Sequence, residues 1–180
     1  GIIGCAPHTY RAIKRSVQTL GCPPGPDDSY LCLRGIRTLG VRMRQHQASA
    51  LTVANWLEER DDVARVMHPA LQSHPQHHIF KRDFKGSSGL FSFQLTDSFS
   101  ELAVDALCDS LKLFCMGYSW GGFESLILPC NIAAVRSATS ERWRGGGQTL
   151  RLHIGLEDVA DLIDDLENAF SVMHSVNESK

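Results

Sequence analysis

The feature that most constrains the fold of this chain is a run of apolar and neutral residues spaced alternately by three and four positions. These positions are Ile36, Leu39, Met43, His46, Ala50, Val53 and Leu57. Because an α-helix has 3.6 residues per turn, their side chains share one helical face. The pattern predicts one helix over residues 30–59, roughly 40 Å long, that bridges two structural units or runs along a domain. Gly35 and Gly40 are expected to weaken this helix locally.

Strand and helix patterns alternate irregularly after residue 59. Apolar runs or period-two alternation predict strands at residues 63–67, 89–95, 113–116, 125–128 and 149–154. Helical spacing covers residues 98–111 and 157–173, whereas residues 72–83 are polar and are predicted to form a loop. Since strict β-α-β order is missing, the interpretation is an α+β layer with a small sheet covered by helices. Upstream, a strand is predicted at residues 1–6 and a helix at residues 9–20.

Composition argues against partners recruited by charge or by lipid. The formal net charge is -2 and charged residues make up 21% of the chain, so no nucleic-acid partner is expected. No apolar run approaches the roughly 20 residues that span a bilayer, so no membrane partner is expected.

Cysteines and histidines are numerous enough to raise the question of special sites. The six cysteines form no C-x-x-C pair, and we interpret them as reduced core thiols of a cytosolic protein: Cys5, Cys22, Cys32, Cys108, Cys115 and Cys130. A histidine cluster could suggest a metal, but no cysteine or carboxylate shares its spacing, so we interpret it as solvated surface without metal: His68, His74, His77 and His78.

The segment at residues 117–125 is rich in residues suited to ligand contact. Gly121 and Gly122 allow close approach of the backbone to a ligand or a positive φ angle. Ser119 offers a hydroxyl, and Trp120 offers an indole donor with a flat face. A tight connection in which Trp120 fills a gap in the core is an equally good interpretation.

Arg151 and His153 fall on one face of the last predicted strand, opposite Leu150, Leu152 and Ile154. A guanidinium among apolar neighbours requires an anionic partner, and its planar fork matches a carboxylate. That partner could be the carboxylate of a ligand. A structural ion pair with Glu157 is the alternative, and the residues alone slightly favour it.

Several of these motifs, in this order, resemble the Cys/Met-metabolism PLP-dependent enzymes. The segment at 33–39 with Arg42 and His46 is similar to the helix that follows their cofactor domain. The segments at 118–126 and 151–157 resemble their Ser-x-Gly-Gly-x-Glu-Ser-Leu loop and their Arg-Leu-x-x-Gly-x-Glu strand. The resemblance covers almost the whole chain and implies the C-terminal part of an aspartate-aminotransferase-like fold, fold type I. It further implies that residues 1–59 end the PLP-binding large domain and supply a connecting helix, and that residues 60–180 form the small domain.

Two details resemble the bacterial cystathionine β-lyases within that family. Trp120 stands where the cystathionine γ-enzymes usually have leucine, and residues 131–136 lack their Met-Thr-His stretch. The resemblance implies β-elimination of cystathionine to homocysteine, pyruvate and ammonia, in methionine biosynthesis. It implies that Arg151 binds the substrate α-carboxylate with Ser119 and Trp120, and that Tyr118 lies nearby with no assigned role. A homotetramer in the cytoplasm is implied as well.

The resemblance places the Schiff-base lysine upstream of Gly1, where the chain begins in an apolar stretch without methionine. The lysines that are present do not stand in that context: Lys14, Lys81, Lys85, Lys112 and Lys180. We therefore expect a C-terminal fragment that carries no catalytic lysine and is inactive alone. A cystathionine γ-synthase, a γ-lyase, a cysteine desulfhydrase and a non-catalytic interaction domain derived from the same fold are the alternatives.

Overall fold

The computed structural model of the chain describes residues 3–96, 98–138 and 146–178. The helices are α1 (Pro7–Thr19), α2 (Pro26–Ile36), α3 (Leu39–Glu58), α4 (His77–Asp83), α5 (Glu101–Ser110), α6 (Ile132–Val135) and α7 (Val159–Glu178). The strands are β1 (Val63–Met67), β2 (Leu90–Leu95), β3 (Cys115–Met116), β4 (Leu126–Cys130) and β5 (Thr149–His153). Among the helices in these ranges, none is long and apolar enough to cross a bilayer.

The chain divides into two compact units, residues 1–40 and 41–180. In the first unit, Pro7 begins α1 at a position where its missing N–H costs nothing. Gly25 is the N-cap of α2, and Asp28 Oδ2 accepts a hydrogen bond from the Gly25 N–H at 3.3 Å. The boundary expected near residue 59, which concerns the domains of a whole protein, stays a prediction.

The second unit is built on a five-stranded sheet in the order β1-β2-β5-β4-β3. The β1–β2, β2–β5 and β5–β4 pairs are antiparallel, and β3 pairs with β4 in parallel. In this register Arg151 stands between Ser92 and Leu128, on the neighbouring strands. The strand that carries the arginine is therefore the central one, held on both sides.

One face of the sheet packs against α3, α5 and α7 to form the core. The fully buried sheet residues are Phe93, Leu95, Ile127, Leu150, Leu152 and Ile154, joined by the nearly buried Phe91. Phe170 of α7 stacks edge-on to Trp56 of α3 at 6.0 Å and lies 6.3 Å from the Phe93 ring. The interpretation of an α+β fold with a small, helix-covered sheet is confirmed, and Arg151 lies on the opposite face.

Three predicted elements differ from the structure. The single helix over residues 30–59 is two helices, because α2 ends at Ile36 and α3 begins only at Leu39. Residues 3–6 are not a strand, and Gly1 and Ile2 lie outside the described residues. Residues 77–83, predicted as loop, form α4, where Phe80 stacks on Phe84 at 5.6 Å.

Two interpretations of side-chain burial were also wrong. Four of the six cysteines are exposed rather than core thiols, and Cys108 is the buried one. His68 is not solvated surface: it is 1% exposed and stacks edge-on to Phe91 at 5.4 Å.

Candidate functional site

The loop at residues 117–125 leaves β3 and returns into β4, so both of its ends are fixed to the sheet. Ser125, the last loop residue, is completely buried. Between the ends, Tyr118, Ser119, Trp120 and Phe123 are exposed, with 61% of Trp120 accessible. Trp120 therefore does not fill a gap in the core of this chain, as the structural alternative required.

Arg151 reaches this loop from β5. Its Nη2 donates to three successive carbonyl oxygens, at 3.0 Å to Gly117, 2.9 Å to Tyr118 and 3.3 Å to Ser119. Its Nε is buried and has no hydrogen-bond partner within the described ranges. A buried donor without an acceptor is unusual in folded proteins, and it marks a place where an acceptor is expected.

The alternative of an Arg151–Glu157 ion pair disagrees with the structure. Glu157 Oε1 accepts from the Ser125 N–H at 2.7 Å, and Oε2 accepts from the Ser125 hydroxyl at 2.8 Å. In the part of the chain that the structure describes, no carboxylate pairs with Arg151. The guanidinium is thus available to an anion that the chain does not provide there.

Ser125, Gly155 and Glu157 form a clasp that joins the loop to the end of β5. The Ser125 hydroxyl also accepts from the Gly155 N–H at 2.8 Å, and the Leu156 N–H donates to the Phe123 carbonyl at 2.8 Å. A Cβ at Gly155 would collide with the Phe123 carbonyl oxygen, so the close approach of the two segments requires glycine. The clasp fixes the loop at a set distance from Arg151.

His153 holds the same loop from beneath its glycines. It is 2% exposed, and its Nε2 lies 3.1 Å from the Gly121 nitrogen and 3.0 Å from the Gly122 oxygen. Gly121 has a φ of 83°, a left-handed conformation that favours glycine. Burial is the main cause that lowers the pKa of His153, and the neighbouring His46 and Arg151 act in the same direction.

The structure brings together all four residues expected at a substrate site. Arg151 contacts the backbone of Tyr118 and Ser119 directly, and Trp120 follows them in the same turn. The sequence analysis missed the roles of Ser125 and Glu157, although both stand inside the two motifs that carried the resemblance. It placed His153 on the face of Arg151 without a function.

The residues gathered here fit a carboxylate better than they fit a cofactor. Arg151 supplies a partly shielded cation that no carboxylate of the described residues neutralises, which suits an amino acid's acid group. None of the four described lysines contacts Arg151, His153 or the loop carbonyls, so no amine is at hand for a cofactor aldehyde.

The pattern of the Cys/Met metabolism PLP-dependent enzymes matches residues 1–171 of the chain. The chain belongs to this family. The cystathionine beta-lyase of Escherichia coli is 46% identical over 174 residues, which cover 95% of the chain and 44% of that relative. The cystathionine gamma-lyase of Sus scrofa is 39% identical over 183 residues, covering 99% of the chain and 45% of the relative.

A solved structure of the family has the same fold. The cystathionine gamma synthase of Xanthomonas oryzae pv. oryzae, in complex with aminoacrylate and cysteine, superposes with a TM-score of 0.83 at 33% identity. The match covers 96% of the chain and 45% of that structure, in its C-terminal portion. The chain thus spans less than half the length of each of these relatives.

Proposed function

We propose that the chain is the C-terminal part of a PLP-dependent carbon–sulfur lyase that cleaves cystathionine to homocysteine, pyruvate and ammonia. The observation that carries the proposal is the position of Arg151, held against the 117–119 carbonyls and paired with no carboxylate of the described residues. In this proposal residues 60–180 are the small domain, and residues 1–59 lead to it from the cofactor domain. A cytoplasmic homotetramer is proposed on the family resemblance alone.

The proposed role of Arg151 is to bind the substrate α-carboxylate. A guanidinium attracts a carboxylate by its charge and by charge-assisted N–H hydrogen bonds. The three carbonyl contacts hold the plane of the guanidinium, so little side-chain freedom remains to be lost on binding. Ser119 and Trp120, exposed beside it, add a hydroxyl and an indole N–H.

The chemistry divides between the cofactor and this half of the site. When bound, PLP acts as an electron sink for the carbanion that forms at the substrate α-carbon. In this proposal Arg151, Ser119 and Trp120 would bind the substrate α-carboxylate and so orient the substrate for the chemistry that the cofactor supplies.

The γ-lyase and γ-synthase chemistries are the competing proposals within the family. Identity to the Escherichia coli β-lyase is 46%, against 39% for the Sus scrofa γ-lyase. Trp120 is the residue that favours β-lyase by resemblance. Products separate the candidates: β-elimination of cystathionine releases pyruvate and homocysteine, whereas γ-elimination releases 2-oxobutyrate and cysteine.

The test uses the full-length protein, loaded with PLP, and its Arg151→Ala, Arg151→Lys and Arg82→Ala variants. Loss of a charge-assisted contact, about 3 kcal/mol, predicts a roughly 100-fold rise in KM for Arg151→Ala. Arg151→Lys should recover part of the loss, because it keeps the charge without the fork. Arg82 is exposed and paired with Asp83, so Arg82→Ala should leave KM unchanged.

Two outcomes would contradict the proposal. Release of 2-oxobutyrate in place of pyruvate would assign the protein to the γ-lyases. An Arg151→Ala enzyme with normal KM, in a folded protein that turns over cystathionine, would remove Arg151 from substrate binding.

A further inference from the structure

His153 is the buried titratable group closest to the Trp120–Gly122 turn. It ends β5, opposite Leu90 on β2 and Leu126 on β4. Its ring also packs against Gly89, where an added Cβ would lie 3.2 Å from the ring atoms Cε1 and Nδ1. The ring is therefore wedged between the sheet and the turn, and its contacts go to the two turn glycines.

Those contacts identify the protonation state of the ring. The Gly122 carbonyl can only accept, so His153 Nε2, 3.0 Å away, must carry a proton and donate it. The Gly121 N–H can only donate, and its nitrogen lies 3.1 Å from Nε2 and 3.4 Å from Nδ1. With Nε2 protonated toward Gly122, Nδ1 is the ring nitrogen whose lone pair can accept from Gly121. The neutral Nε2–H tautomer satisfies both glycines at once. A doubly protonated ring keeps the bond to Gly122 but turns a second N–H toward the Gly121 N–H.

The surrounding groups favour the neutral ring. His46 on α3 lies with its ring 5.3 Å from that of His153, and its Nδ1 donates to the Ile154 carbonyl at 2.8 Å. Arg151, two residues earlier on the same strand, adds a positive charge nearby. Glu157 opposes them, but both of its oxygens are engaged by Ser125. The described residues of β2 and β4 that face the ring, Gly89 and Leu126, carry no charge.

We propose that neutral His153 is a positioning residue that holds the Trp120–Gly121–Gly122 turn beside Arg151, and that its protonation releases Gly121 and weakens carboxylate binding. The first half stands on the contacts alone, and the second rests on the function proposed above. His153 does not touch the substrate in this account. It acts through the turn that carries the Trp120 indole and directly follows the 117–119 carbonyls.

The sign of the pH effect follows from burial. Because burial lowers the pKa of His153 below the ordinary value of 6.5, the ring is neutral at pH 7 and gains a proton only in acid. The turn is held above the pKa of His153 and is released as the pH falls through it. Well below that pKa the fraction of neutral ring falls about tenfold per pH unit, so KM should rise with falling pH until it reaches the value of the released turn, about tenfold higher.

The first test needs neither cofactor nor activity. In the full 180-residue chain, ¹⁵N spectra should show the Gly121 amide and the His153 ring nitrogens shifting together, with one midpoint below pH 6.5. His153→Gln keeps a donor and an acceptor without titrating, so its Gly121 amide should lose the shift. His174→Gln, which alters a histidine paired with Asp62 at 2.8 Å, should leave the shift intact. A Gly121 amide that does not follow His153 would overturn the proposal.

The second test uses the full-length enzyme with cystathionine at pH 5–8. His153→Leu should raise KM about tenfold at pH 7 with little change in kcat, as expected for a lost hydrogen-bonded support. His153→Gln should restore most of the affinity and remove the acid limb of KM. If KM of the His153→Gln enzyme still rises at low pH as it does in the unmodified enzyme, protonation of His153 is not the cause of the rise and the proposal is overturned. If the protein does not turn over cystathionine at all, the proposed function fails, while the spectra still decide the role of His153.

Discussion

Ser125→Ala is the sharpest test of the clasp that fixes the loop, because one hydroxyl serves two segments. It accepts the buried Gly155 N–H at 2.8 Å and donates to Glu157 Oε2 at 2.8 Å. An unsatisfied buried N–H costs about 1–3 kcal/mol, and a hydrogen bond to a charged group contributes about 1.5–3 kcal/mol. Because Glu157 keeps its bond from the Ser125 N–H, we take the lower part of these ranges and expect a loss of about 3 kcal/mol.

Urea unfolding of the chain, followed by tryptophan fluorescence, measures this loss. With a slope of about 2 kcal/mol per molar urea, the midpoint should fall by about 1.5 M. Ser119→Ala is the matched control, since this serine is on the same loop with its side chain exposed, and it should change stability by less than about 0.5 kcal/mol. A cycle with Glu157→Gln should give a coupling energy of about 1–2 kcal/mol. Equal midpoints for the Ser125 and Ser119 variants would refute the clasp.

Two further predictions concern groups outside the loop. The carboxylate of Asp165 accepts the backbone N–H groups of residues 112, 113 and 114, so Asp165→Asn should lower the free energy of unfolding by about 2–3 kcal/mol in urea. Asp164→Asn, at an exposed neighbouring position, should change it little, and equal losses would contradict the assignment. Burial raises the pKa of Cys108 to about 11, so iodoacetamide at pH 8 should label exposed Cys115 in the native chain and spare Cys108 until urea is added, as read by mass spectrometry.

Strands could be predicted from the sequence wherever one face is buried and the other is not. In β2 the alternation of Phe91, Phe93 and Leu95 reports directly on the core face, and the same holds for Leu150 and Leu152 in β5. The period of two is imposed by the sheet itself, so no knowledge of tertiary partners was needed. The helices α5 and α7 were found for the same reason, with a period of 3.6.

The prediction of one long helix was wrong because the spacing of apolar residues does not reveal an interruption of only two residues. The spacing of three and four continues across Arg37 and Thr38, which separate α2 from α3. The pattern corresponds to a buried face only in its second half. His46, Ala50, Val53 and Leu57 are buried, whereas Met43 is 38% exposed. The missed helix α4 has the opposite problem, because seven residues are too few for a period to be read.

In the candidate site, the proposed ligand-binding residue could be predicted from the sequence, but the residues that support it could not. Arg151 was found because a guanidinium on an apolar strand demands an anion, a requirement that is local to one residue and its neighbours. Its support was not found, because each supporting contact joins residues about thirty positions apart: Ser125 with Gly155, and His153 with Gly121. No propensity or period relates such pairs; only the adjacency of β4 and β5 does.

The same adjacency explains why the anion site and the loop cannot be separated. The loop carbonyls orient the Arg151 guanidinium by accepting hydrogen bonds from Nη2. In turn, hydrogen bonds with Arg151, His153 and Glu157 hold the backbone of the loop in place. A change to any one of them therefore alters both the cation and the backbone groups around it. For this reason the conservative variants, Arg151→Lys and His153→Gln, give clearer information on the role of each side chain than the alanine or leucine variants. His153→Gln keeps a donor and an acceptor for the turn while removing the titration, and Arg151→Lys keeps the positive charge while removing the planar fork. Each variant therefore changes one property of the site and retains another.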